Sequence, residues 1–108
     1  MHAFVVTYCL ADDVSDAEYA DLCEELAPAF AAFRGLASLT WLTNSDTGCH
    51  GGFYVFDSKS AFDRFVASEL FETLRSHSSL RALRTEDYGI TPGPTAITRG
   101  PAQAVAGP

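Results

Sequence analysis

The chain has 108 residues and a formal net charge of -7, with 47% hydrophobic residues. That length fits one domain with a modest core, and that hydrophobic content excludes a disordered chain. The seven basic residues, scattered from Arg34 to Arg99, form no phosphate-tracking patch, which disfavours nucleic acid and anionic membrane surfaces as partners.

Met1 leads straight into an apolar run, with no basic segment and no small-residue cleavage site before it. No apolar stretch approaches the roughly 18 residues of a membrane span. The expectation is a soluble cytoplasmic protein. Cys9, Cys23 and Cys49 are odd in number and share no metal-finger spacing, so they read as reduced, buried thiols.

His2 to Leu10 is β-branched and aromatic at both parities, as in a strand covered on both faces. Ser15-Asp16-Ala17-Glu18 is a capping box. Tyr19, Leu22, Cys23, Leu26, Phe30 and Phe33 then form one apolar helical stripe. Pro28 predicts a kink or a lost hydrogen bond near Glu24, and Gly35 is the expected C-cap.

Two β-prone runs follow, Leu36 to Thr43 and His50 to Phe56, around the turn-forming Asn44-Ser45-Asp46-Thr47-Gly48. In the first, Ala37, Leu39, Trp41 and Thr43 share a face; in the second, His50, Gly52, Tyr54 and Phe56 do. Neither face of the hairpin is clearly polar. Phe62, Phe65, Val66, Leu70, Phe71 and Leu74 form the stripe of a second helical region, capped at Asp57 or Ser58 and able to restart at Ser68-Glu69. Leu80 to Ile90 is the fourth and most polar strand. Thr95 to Arg99 reads as a short β-prone run fit to pair with another chain's sheet edge.

The predicted order is β-α-β-β-α-β, an α+β, ferredoxin-like unit with an antiparallel sheet over residues 1–100, followed by a flexible tail at 101–108. Two helices cover only one face of four strands. The second apolar face calls for a second copy, so a homodimer is expected.

His50 is the candidate base, beside Gly51-Gly52 where missing side chains leave room for a ligand or another backbone. Trp41 is the candidate wall for a flat aromatic substrate, and Tyr54, Tyr88 and Arg84 are candidate substrate contacts. Each has a plainer role: Trp41 as core or interface, the tyrosines as structural hydrogen-bond formers, Arg84 in an ion pair with Glu86. His2 and His77 are expected at the surface. No His, Cys or carboxylate spacing suggests a metal, and no phosphate-binding or flavin motif suggests a cofactor.

Leu26-Ala27-Pro28-Ala29-Phe30, Gly35-Leu36, Thr40-Trp41-Leu42, Gly51-Gly52-Phe53-Tyr54-Val55-Phe56 and Pro94-Thr95-Ala96-Ile97-Thr98-Arg99-Gly100 together resemble the YdhR-like mono-oxygenase family of the dimeric α+β barrel superfamily. The resemblance implies a homodimer with a pocket in each subunit between sheet and helices. It also implies kinship with cofactor-independent oxygenases of polycyclic aromatic molecules. The expected function is therefore cofactor-independent mono-oxygenation of a small hydroxylated aromatic or polyketide-like molecule. Cyclisation or isomerisation of a similar molecule, or binding alone, are the alternatives.

Overall fold

The computed structural model describes residues 1–101. In order, the elements are β1 (His2–Leu10), α1 (Asp16–Ala31), β2 (Leu36–Asn44), β3 (Cys49–Phe56), α2 (Lys59–Val66), α3 (Glu69–Arg75), β4 (Leu80–Gly89) and α4 (Pro92–Ile97). The four strands form one antiparallel sheet in the order β2-β3-β1-β4. This is the split, ferredoxin-like α+β arrangement of the dimeric α+β barrel class. Among the described residues, no helix is long and apolar enough to cross a membrane. Residues 102–108 of the expected flexible tail lie outside the described residues.

The strand ladder sorts the side chains. His2, Phe4, Val6, Tyr8 and Leu10 of β1 and His50, Tyr54 and Phe56 of β3 are buried on the face that the helices cover. Phe30 of α1 and Phe65 of α2 meet them at 0–1% exposure and complete an aromatic core. Gly51 has no space for a side chain, because a Cβ there would lie 2.0 Å from the Val6 carbonyl oxygen. At Gly52 the room is taken by Leu39 and Tyr54, whose atoms would lie 2.9 and 3.0 Å from a Cβ. Both glycines thus serve strand and side-chain packing.

The other face is less covered. Ala3 and Val55 are buried there, but Thr7, Leu42, Phe53, Arg84, Glu86 and Tyr88 are exposed. The first strand is accordingly buried throughout on one face and only in part on the other.

Four expectations are corrected. First, Cys9 and Cys49 are not reduced buried thiols. The β1–β3 register sets them opposite each other, and they form a disulfide on the less covered face. Among the described residues Cys23 carries the free thiol, and it is half-buried.

Second, His2 is not at the surface. It is buried on Phe62, ring centroids 4.7 Å apart, and its Nε2 lies 2.7 Å from Asp87 Oδ2.

Third, Thr95 to Arg99 is not strand. Pro92–Ile97 is helical, because prolines at 92 and 94 sit in a first turn that has no use for their missing N–H groups.

Fourth, α1 ends at Ala31 with Ala32 as its cap. Gly35, at φ +98°, makes the later turn into β2.

Two irregularities shape the sheet. A register shift between Leu36 and Ser38 lets Leu36 pack on the same core as Leu39 and Trp41, and leaves Ala37 exposed. A second shift opposite Thr7 and Cys9 passes through Ala82, at φ +55°. Helix capping follows the sequence closely. Ser15 and Glu18 make the reciprocal box, and Ser58 and Ser68 start α2 and α3, with the break at Ala67.

Candidate functional site

Three of the five singled-out side chains lie on the helix-covered face. His50 and Tyr54 alternate along β3, and Trp41 pairs with Gly52 between them. The three therefore lie in neighbouring rows of one face, but Trp41 and His50 line different clefts and Tyr54 lines neither. Arg84 and Tyr88 lie on the opposite face with Glu86, to which the Tyr88 hydroxyl donates a hydrogen bond. That bond, ahead of the Glu86 charge, raises the Tyr88 pKa. The structure does not bring Arg84 and Tyr88 together with His50.

His50 is the buried polar centre of the group, its side chain 1% exposed. Its ring stacks on Tyr19 of α1, with centroids 4.5 Å apart and planes 19° from parallel. The Asn44 backbone N–H points at Nδ1 from 3.2 Å, and Thr43 Oγ1 lies 2.8 Å from the same atom. A backbone N–H only donates, so Nδ1 accepts and the neutral ring carries its hydrogen on Nε2. Nε2 is buried without a hydrogen-bond partner among the described residues. Asp16 Oδ1, on the first turn of α1, lies 3.9 Å from Nε2.

Beneath α1 the polar cluster continues. The Tyr8 and Tyr19 hydroxyls share a 2.7 Å hydrogen bond in the core. Burial raises the pKa values of Tyr8, Tyr19, Cys23 and Tyr54. All four stay neutral near pH 7, as hydrogen-bonding groups and not as anionic bases.

Trp41 is half-buried, edge-on to Phe30 at 5.6 Å. With Ala27, Ala31, Leu36 and Leu39 these two line a cleft of about 340 Å³ between α1 and the edge strand β2. That volume falls within the roughly 300–1,000 Å³ of small-molecule pockets. Ala37 and Ser38 complete the lining, so the walls are mostly apolar with one hydroxyl, which suits a flat ring.

Asp16, Tyr19 and Thr43 are the members of this cluster that sequence patterning does not single out. Asp16 looks like a helix-start residue and Tyr19 like a stripe residue. Only the packing of α1 on β3 shows what else they touch.

A family model described as "Putative mono-oxygenase ydhR" matches residues 9–101. No curated protein matches the chain. Among solved structures, the Arabidopsis thaliana protein At3g17210 is similar at TM-score 0.68 and 18% identity, over 83% of this chain and 88% of that one. Rv0793 from Mycobacterium tuberculosis is similar at 0.68 and 17%, over 83% and 94%. A variant of SnoaB, a cofactor-independent oxygenase from Streptomyces nogalater, is similar at 0.67 and 19%, over 82% and 91%. At these identities the likeness establishes the fold.

Proposed function

The chain belongs to the ydhR mono-oxygenase family, and from that premise we propose that it is a cofactor-independent mono-oxygenase of a small hydroxylated aromatic or polyketide-like molecule. The observation that carries this reading is the buried His50 imidazole, which shares one sheet face with Trp41 and Tyr54. A phenol stacked on Trp41 gives up its proton toward His50. The resulting anion is electron-rich enough to reduce O₂ itself. For a dihydroxynaphthalene the balance is one O₂ taken up, one oxygen atom entering the ring as a quinone carbonyl, and the other leaving as water. The apolar walls keep water from the anion and hold it in its attack geometry.

The working unit in this proposal is a homodimer. Leu42, Phe53 and Tyr88 lie exposed on the sheet face that the helices leave open, and a second copy is the cover that this face fits. Arg84 and Tyr88 would then act at the subunit boundary.

Oxygen uptake with dihydroxynaphthalene, read with product formation, tests the proposal. His50→Ala is expected to lower turnover by about 10²–10⁴-fold, the usual worth of a general base. Unchanged turnover would remove His50 from the chemistry. His50 acid–base chemistry would serve cyclisation or isomerisation equally well, and turnover that persists without O₂ would favour that reading.

A further inference from the structure

We infer that Thr43 is the group through which a bound phenol passes its proton to His50; this rests on the reading of His50 as the base. Neither nitrogen of that ring is open to a ligand. Nε2 is buried under α1, and the side chain as a whole is 1% exposed. Nδ1 carries the lone pair but is closed off by the Asn44 N–H and by Thr43 Oγ1. Thr43, by contrast, is exposed. Its hydroxyl hydrogen points to Nδ1, because Nδ1 accepts, so the oxygen lone pairs are left to receive a hydrogen from outside.

The transfer is a relay of two protons in one direction. The substrate O–H bond breaks and its proton bonds to Thr43 Oγ1. The original Thr43 O–H bond breaks and that proton bonds to Nδ1. Thr43 ends neutral, the substrate ends as its anion, and His50 ends as imidazolium; no electrons change hands. The new positive charge is met by the Asp16 carboxylate, 3.9 Å from Nε2, and by the stacked face of Tyr19. The Asn44 N–H loses its acceptor, at the residue where β2 ends and the hairpin loop begins.

The placement also limits the substrate. Trp41 and Thr43 are successive residues on one face of β2, about 7 Å apart. A one- or two-ring phenol lying on Trp41 along the edge strand brings its hydroxyl to Thr43. Thr43 and His50 also line a cleft of about 200 Å³ with Thr7, Leu42, Asn44, Thr47 and Cys49.

Two measurements decide the matter. The first needs no turnover: diethyl pyrocarbonate labelling of the histidines, followed by peptide mass. His50 of the intact chain is expected to react far more slowly than the half-exposed His77, and Thr43→Ala is expected to bring it toward the His77 rate. A His50 that reacts as readily as His77 in the intact chain, or that stays inert in Thr43→Ala, overturns the route. The second is dihydroxynaphthalene turnover in folded variants with unchanged circular dichroism. Thr43→Val is expected to lose as much as His50→Ala, about 10²-fold or more, and Thr43→Ser to restore most of it. Full activity in Thr43→Val with loss in His50→Ala sinks the relay and leaves His50 as the base. Full activity in His50→Ala sinks the reading beneath both.

Discussion

His50 and Tyr19 are stacked, 4.5 Å between centroids, and this contact fixes the start of α1 onto β3. The Tyr19 hydroxyl goes on to meet Tyr8 of β1 at 2.7 Å. One side chain of α1 therefore touches two neighbouring strands of the sheet. The stack holds the imidazole by its face, and the Thr43 and Asn44 contacts hold it by its edge.

The Tyr8–Tyr19 pair should be worth more as a pair than as two hydroxyls. Tyr8→Phe leaves the Tyr19 hydroxyl buried without that partner, at a cost of about 1–3 kcal/mol. Removing both hydroxyls removes the orphan as well. The double variant Tyr8→Phe/Tyr19→Phe is therefore expected to lose less than the sum of the single losses. Urea unfolding of the two single variants and the double variant measures this coupling.

Alkaline pH should unfold the protein through the same residues. Tyr8, Tyr19 and Tyr54 have pKa values raised above the ordinary value near 10, chiefly by burial. The unfolded chain releases these protons from about pH 10 upward while the folded chain keeps them. Their contribution is fully present below pH 10 and is lost as pH rises through the raised values. Tyrosinate absorbance is expected to rise together with loss of far-ultraviolet circular dichroism. Full ionisation of all four tyrosines in a folded chain would contradict it.

The alternation of β and α patterns, the Ser15 and Ser68 caps and the central hairpin could all be read along the chain, because each is set by residues close in sequence. The site was legible only in part. Period-two alternation places His50 and Tyr54 on one face of β3, and hairpin pairing adds Trp41. It cannot show that α1 delivers Asp16 and Tyr19 to His50, since helix-on-sheet registry is a packing property. The Cys9–Cys49 bond depended likewise on the β1–β3 register. The Thr95 to Arg99 run misled because β-branched residues suggest strand, while the prolines before them favour a helical turn.

The Cys9–Cys49 bond closes a loop with a sequence separation of 40, linking two strands that are already neighbours. Its main effect should be on the unfolded chain, which it holds compact. Reduction, or Cys9→Ser with Cys49→Ser, is expected to lower stability by about 2–4 kcal/mol. The check is the urea midpoint with and without reductant, with thiol titration on the same samples. A midpoint that does not move on reduction would show that the bond adds nothing.

The open sheet face gives the most direct test of the homodimer. Phe53, 36% exposed, faces away from the helices, with Thr40 and Val5 as its cross-strand partners. Val5 in turn pairs with Glu86, so an acidic group already lies two strands away. Phe53→Asp is therefore the decisive change. A lysine would gain an opposite charge nearby, whereas an aspartate adds to the existing one and must lose its water if a second copy covers it. We expect a loss of about 2–3 kcal/mol of association, on the order of 100-fold in the dimer dissociation constant. The monomer's fold should survive, because the residue lies outside the aromatic core. Sedimentation equilibrium at micromolar concentration should find the wild-type chain dimeric and Phe53→Asp largely monomeric, with matching circular dichroism. Equal dimerisation of both would place the interface elsewhere.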